Sequence, residues 1–171
     1  MAPAGNFESL QAAIDNGADS VYFGVDQLNM RARASINFTI DDLEEIARRC
    51  APKGIRTYLT LNTIIYDHDL SIIKTLLDAA KKARLTAVIA MDQAVIAYAR
   101  QIGMEVHIST QINITNIETV RFYAMFADTM VMSRELSLRQ IKKICEQIEK
   151  EQIKGPSGNL VEIEIFGHGA L

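Results

Sequence analysis

The sequence predicts an α/β protein, an incomplete TIM-like (β/α) barrel in which parallel strands alternate with helices and about seven of eight strands are present. Three observations carry that prediction. Short runs rich in Val, Ile, Leu, Thr and Tyr alternate with longer segments of helical spacing, the texture of repeated βα units. The strand candidates carry polar residues in one phase only, which a barrel lumen accommodates better than a sheet covered by helices on both faces. Polar residues also gather just past the strands, where parallel α/β folds concentrate their chemistry.

Taken in order, the chain opens with a stub, Met1–Ala4, that reads as the end of a strand. Helical spacing follows at Phe7–Asn16, with Asn6 as N-cap, because a short polar side chain accepts from a free helix N–H. Strand Ser20–Gly24 comes next, then helix Ile40–Pro52 behind Thr39, then strand Ile55–Asn62. Asp67 is expected to cap helix His68–Ala83, which leads into strand Thr86–Met91. Asp92 stands before helix Gln93–Ile102, and strand Glu105–Ser109 follows. The last elements are helix Ile117–Phe126, strand Asp128–Met132, helix Leu138–Glu151 and strand Val161–Phe166. Gly17, Gly54 and Gly103 each follow a helix, where a left-handed residue suits glycine. Thr115-Asn116-Ile117-Glu118 and Ser137-Leu138-Arg139-Gln140 fit the capping-box pattern. Only Lys154-Gly155-Pro156-Ser157-Gly158-Asn159 reads as a longer loop.

The chain has 171 residues, whereas a complete TIM barrel takes about 250. Residues 1–171 therefore read as a single partial barrel domain whose C-terminal part is missing. Its first and last strands are expected to leave exposed sheet edges, through which copies of the chain could form a homo-oligomer.

Lys plus Arg number 18 and Asp plus Glu 21, giving a net charge of −3; hydrophobic residues are 49% and charged residues 23%. These values fit a globular chain and exclude an acidic disordered tail, a collagen-like repeat or a highly basic nucleic-acid arm. They leave room for RNA binding through a local basic patch. No run of 18 apolar residues occurs, so no membrane span is expected. The first residues lack the basic and apolar regions of a signal peptide. The two cysteines, Cys50 and Cys145, fall in helical segments and read as reduced thiols of a cytoplasmic protein.

On the strand candidates, Tyr58, Thr60 and Asn62 share one face, as do His107, Ser109 and Gln111, and Glu162, Glu164, Phe166 and His168. Just past the strands lie Asn62, Asp92, Gln111, Asn113, Arg134, Glu135 and His168. Some have structural readings of equal standing. Asp92 is a natural N-cap, Asn113 and Thr115 are capping types, and Arg134-Glu135 could be a local ion pair. Glu162 and Glu164 are harder to dismiss, because two carboxylates buried about 7 Å apart require basic partners or a metal. His168 lies between Gly167 and Gly169, which allow a ligand close to the backbone. Arg31 and Arg33 follow the Tyr22-Phe23-Gly24 strand end, where an arginine could clamp a carboxylate or phosphate. The nearest alternatives have no signature: H-E-x-x-H, G-x-S-x-G and the phosphate-binding glycine motifs are absent, and no lysine stands at a strand end for a Schiff base.

Several strings together are more specific. They are A-P-A-G-N from Ala2, A-A-I-D-N-G-A-D-S-V-Y-F-G from Ala12, and M-R-A-R-A from Met30. They continue with L-T-L-N at Leu59–Asn62, H-I-S-T-Q at His107–Gln111 with Asn113 and Asn116, S-R-E-L-S-L at Ser133–Leu138 and E-I-E-I-F-G-H-G-A-L at Glu162–Leu171. In this order they resemble the N-terminal catalytic portion of the collagenase-like peptidase family of unknown catalytic type, the peptidase U family numbered thirty-two. The resemblance implies a TIM-barrel-like catalytic domain and either of two activities. One is peptide hydrolysis, as a collagenase-like protease. The other is participation in oxygen-independent hydroxylation of tRNA or ribosomal RNA bases, or of quinone precursors. The substrate would then be a peptide or RNA.

Several members carry an iron–sulfur cluster on four cysteines, the first directly after H-G-A-[LM]. Cys50 and Cys145 match none of those positions, so the chain holds no cluster ligand by this resemblance, and the identity of any metal stays open. Gly167 also departs from the valine usual before the histidine. The resemblance places Asn62, Gln111, Arg134, Glu135, Glu164 and His168 at motif positions. The expected catalytic residues are Glu164, His168 and Glu135. The expected substrate-binding residues are Arg31, Arg33, Asn62, Asp92, Gln111 and Arg134, with Arg134 or Arg31 as anion anchor. The competing expectation is a barrel fragment that binds a small anion or a partner without catalysis.

Overall fold

The computed structural model describes residues 1–25 and 38–167. Arg31, Arg33 and His168 lie outside the described residues. Seven parallel strands alternate with six α-helices among the described residues, as the sequence predicts. The chain divides into two compact units, 1–104 and 105–171.

The first unit contains β1 (Ala2–Pro3), α1 (Phe7–Asp15), β2 (Ser20–Phe23), α2 (Leu43–Cys50), β3 (Arg56–Leu61), α3 (Leu70–Lys82), β4 (Ala87–Ala90) and α4 (Gln93–Gln101). Its strands pair in sequence order, Val21 opposite Ala2 and Thr57, and Tyr58 opposite Tyr22 and Ala87. Leu59 and Leu61 are buried, as are Val21, Phe23 and all of β4. Each such aliphatic side chain contributes about 1.5–3 kcal/mol by leaving water. Helices α1 to α3 each cover the sheet with one apolar stripe, Leu10 from α1, Ile46 from α2 and Leu77 from α3. Phe38 stacks edge-on against Phe7 at 5.1 Å and Phe23 at 5.6 Å between ring centres, with Arg49 over the outer face of Phe7.

The second unit contains β5 (Glu105–Ile108), α5 (Ile117–Ala124), β6 (Thr129–Val131), α6 (Leu138–Glu151) and β7 (Glu162–Glu164). Here Ile108 pairs with Met130, which pairs with Ile163, and Val131 pairs with Glu164. Ile108, Met130 and Met132 are buried beneath Ile144 and Ile148 of α6 and Val120 of α5. The loop after α6 is folded rather than loose. Lys154 bridges to Leu160, and Asp128 Oδ1 accepts from Ser157 N and Ser157 Oγ.

Several local expectations shift by a residue or two. The long helices expected at Ile40–Pro52 and His68–Ala83 begin with 3-10 turns, Ile40–Asp42 and Asp67–Asp69. Asp67 is therefore inside the turn, and the carboxylate accepting at its start is Asp69, from Tyr66 N at 3.0 Å. At α5 the cap is Asn116, accepting from Thr119 N, not Thr115. Asn6 caps α1 and Ser137 caps α6 as expected, each in a reciprocal capping box. Gly17, Gly54 and Gly103 all adopt positive φ. None of the described helices is long and apolar enough to cross a membrane.

Candidate functional site

In the first unit, two expected site residues stand at strand C-terminal ends. Asn62 directly follows β3 and is half-buried. Asp92 follows β4 and is the N-cap of α4: its Oδ1 accepts from Ala94 N at 2.8 Å. Its Oδ2 accepts from Ile65 N at 3.3 Å. Both oxygens thus hold backbone, and the carboxylate fixes the segment that follows Asn62.

In the second unit, three strand ends are stitched together by backbone and hydroxyl bonds. After β5 the chain enters a 3-10 turn, Thr110–Ile112, capped by Ser109. Thr110 Oγ1 donates to the Met132 carbonyl at 3.1 Å. Ser133 N donates to the Ile114 carbonyl at 3.0 Å, and Met132 N to the Glu164 carbonyl at 2.9 Å. The ladder places Gln111, the Ser133-Arg134-Glu135 turn and Glu164 at one end of one small sheet. Asn113 closes the Thr110 turn in the left-handed region, φ 56°, which a short polar side chain tolerates.

The turn has its own electrostatics. Ser133 is buried, 4% exposed, and its hydroxyl donates to the Glu135 carboxylate. That bond, the backbone N–H of Glu135 itself and the neighbouring Arg134 guanidinium hold the Glu135 carboxyl below the usual carboxylate range. Glu135 is thus a fixed anion with an accessible side, suited to accepting an N–H or a proton. Arg134 is exposed beside it. The sequence reading missed Ser133, whose contact spans two residues of a turn and leaves no periodic signal. It also missed the pairing of buried His107 with Glu105, Nε2 to Oε1 at 2.9 Å, on β5.

The expectation of two buried carboxylates on the last strand needs correction. Glu162 is exposed and only Glu164 is half-buried, because β7 is short and its first residue lies at the rim. The burial cost that called for a metal therefore does not arise at Glu162.

The iron–sulfur cluster implied by resemblance does not fit these residues. Cys50 is buried in α2 and Cys145 lies in α6, in different units. Burial pushes both thiols up, away from the thiolate a metal requires. Among the described residues no three His, Cys, Asp or Glu side chains gather as a metal site.

The chain is 54% identical over its whole length to a collagenase of Porphyromonas gingivalis, covering 41% of that protein. It is 31% identical to tRNA hydroxylation protein P1 of Bacillus subtilis, again along the whole chain, covering 38% of that protein. The chain thus spans about two fifths of the length of these curated relatives. Among solved structures it is similar to a U32 peptidase, with TM-score 0.70 and 12% identity, over 99% of this chain and 92% of that one. That likeness shows the fold expected from the sequence. The model of peptidase family U32 matches residues 5–171, and the chain belongs to that family.

Proposed function

We propose that this chain is the barrel portion of an enzyme that takes part in tRNA hydroxylation, and that its second unit binds the nucleotide to be modified. The observation that carries this reading is the Ser133-Arg134-Glu135 turn. It sets a guanidinium beside a carboxylate held anionic. A nucleotide offers the complement of that pair: a phosphate for Arg134, bound bidentately, and base N–H groups for Glu135. Gln111, with donor and acceptor on one amide, reads a further base edge. Glu164 stands on the neighbouring strand as the proton-handling carboxylate, with His168 four residues on.

The chain's own contribution is to bind, orient and hold protons near the base. Asp92 keeps the Asn62 segment in place, so that Asn62 can donate or accept at a strand end. The iron–sulfur chemistry that the resemblance implies would be supplied by cysteines beyond this chain. The reading also fits the relatives named for tRNA hydroxylation, aligned along the whole chain.

A second reading, peptide hydrolysis, is favoured by one observation: the 54% identical relative is named a collagenase. The local chemistry supports it less. Ser133 is the one hydroxyl bound to a carboxylate in the turn, and at 4% exposure it is poorly placed to attack a peptide. Neither cysteine stands at a strand end, and burial keeps both as thiols.

The experiment compares a strain lacking the gene with its parent. Nucleosides from purified tRNA are separated by mass spectrometry, and the protein from the complete gene is assayed on gelatin. The expected result is loss of a hydroxylated base in the deletion strain and no gelatin cleavage. Unchanged tRNA nucleosides together with gelatin cleavage that Glu135→Gln abolishes would replace this reading with the second one.

A further inference from the structure

At the N-terminal ends of β3 and β4, opposite the ends that carry Asn62 and Asp92, the first unit holds an open groove of about 510 Å³. Thr57 and Thr86 form its floor, each backbone N–H donating to the other's hydroxyl, at 3.0 and 3.3 Å. Four cations line it, Arg48, Arg56, Lys82 and Arg84, against one carboxylate, Glu44. In a chain of net charge −3 this is a local reversal of sign.

Two of those cations have a structural explanation. Arg48 and Lys82 sit in the last turns of α2 and α3, where positive charge complements the helix dipole. They also pair with Glu45 and Glu44, at 2.7 and 2.9 Å. Arg56 has neither explanation, and Arg84, next to the C-terminus of α3, has no ion-pair partner among the described residues. Arg56 is the exposed first residue of β3, and Arg84 lies beyond the end of α3. Neither side chain makes a hydrogen bond or ion pair to the described residues, and both residues are exposed where they line the groove.

Arg84 also occupies a costly backbone position. Helices α1, α3 and α4 are three of five segments that end in the same motif, the others being the 3-10 turn Ala51–Lys53, with Gly54 and Ile55, and α6, with Gln152 and Ile153. The left-handed residue donates to a carbonyl three back, Gly17 to Ile14, Arg84 to Lys81 and Gly103 to Arg100. The next residue donates to a carbonyl five back, Ala18 to Ala13, Leu85 to Ala80 and Met104 to Ala99. The φ values are 73°, 60° and 68°. Glycine, which adopts this conformation freely, fills the left-handed position at 17, 54 and 103, of which Gly54 lines the same groove, while Arg84 and Gln152 fill the other two. At the groove, Arg84 sets an unpaired cation at a position that carries backbone strain.

We propose that this groove binds the phosphate backbone of RNA, with Arg56 and Arg84 as the phosphate-contacting residues, at a site separate from the strand C-terminal ends. The inference rests on the tRNA reading above and adds a second contact region, one that holds the body of the RNA rather than the modified base. Phosphate contacts set affinity without reading sequence and carry a strong salt dependence.

The test measures binding of fluorescently labelled tRNA to the protein from the complete gene by anisotropy, across a series of salt concentrations. The variants are Arg56→Gln, Arg84→Gly and the pair. The expected result is a loss of roughly tenfold or more in affinity for the pair, and a salt slope lower by about 1 per side chain removed. Arg84→Gly relieves the left-handed backbone, so its thermal midpoint should hold or rise while its tRNA affinity falls. A purely structural arginine would give no change in affinity. If the variants bind tRNA like the parent protein, as they would were the groove's occupant an acidic protein segment, this inference is overturned and the tRNA reading stands. If the parent protein binds no tRNA, both are overturned.

Discussion

A methyl group added at Gly155 would collide with the residue that sets the spacing of β6 and β7. Built on the backbone, the new carbon lies 2.3 Å from Asp128 Oδ1 and 2.8 Å from Asp128 Cα. The first contact could be relieved by turning the side chain, but the second is to backbone and cannot. Asp128 is also tied on both sides. Its carbonyl accepts from Glu162 N at 2.8 Å, and its Oδ1 accepts from Ser157 N at 3.0 Å and Ser157 Oγ at 2.7 Å. Relief therefore requires moving either the 154–159 loop or the start of β6. Overpacking of this kind costs about 1–3 kcal/mol. At roughly 2–4 °C per kcal/mol for a domain of this size, Gly155→Ala should lower the melting temperature by about 2–12 °C. Ser157→Ala, which removes the hydroxyl's bonds to Asp128 Oδ1 and Asn159 N and adds no clash, should cost about 1–2 kcal/mol. Differential scanning calorimetry on the protein from the complete gene reads both. A Gly155→Ala protein that melts with the parent would refute the packing argument, and with it the claim that Asp128 fixes the register leading to Ser133 and Glu164.

Ser133→Ala removes the main bond that holds the Glu135 carboxyl low, so that carboxyl should titrate higher and the acid limb of the activity profile should move up in pH. An unmoved acid limb would mean that Glu135 does not govern it. Glu45 is held down to about 2 by Arg48 and Arg49. Its folded-state value is depressed, so its stabilisation is present above the ordinary 4.5 and is lost as pH falls toward about 2. Carboxylate NMR titration should show Glu45 as one of the last to protonate, and a midpoint near 4.5 would contradict the pairing. Cys50 is fully buried and Cys145 only partly so, so alkylation followed by mass spectrometry should label Cys145 first in the native protein, with both labelled alike once unfolded.

The fold was legible because its signals are periodic. Alternation on strands such as Arg56–Leu61, apolar stripes on helices such as α3, and glycines at 17, 54 and 103 all act locally. Errors cluster where two residues of one type compete for one role. Asn116 takes the cap that Thr115 could have filled, and at the Asp67 turn the accepting carboxylate is Asp69, from Tyr66 N, with no side-chain cap onto α3. Arg84 escaped notice for a related reason: a left-handed arginine leaves no mark in the sequence, while the glycines at the equivalent sites do. The candidate site was half legible. Of the residues past the strands, Gln111, the Ser133 turn and Glu164 lie at one end of the strands of the second unit, while Asn62 and Asp92 belong to the first. The buried hydroxyl that tunes Glu135 was invisible, because depth cannot be read from a turn of three polar residues. Glu162 was misjudged because strand β7 starts at the rim, and alternation says which face a residue takes but not how deep it lies.

The central claim is that the turn after β6 holds the nucleotide. It is tested most directly by returning the gene to a deletion strain as parent, Arg134→Ala or Glu135→Gln, at matched protein levels, and quantifying hydroxylated bases in tRNA by mass spectrometry. The account predicts full restoration by the parent and roughly tenfold or greater loss with either variant, the scale of losing a charged contact to the reacting nucleotide. Restoration to parental levels by both variants would contradict it.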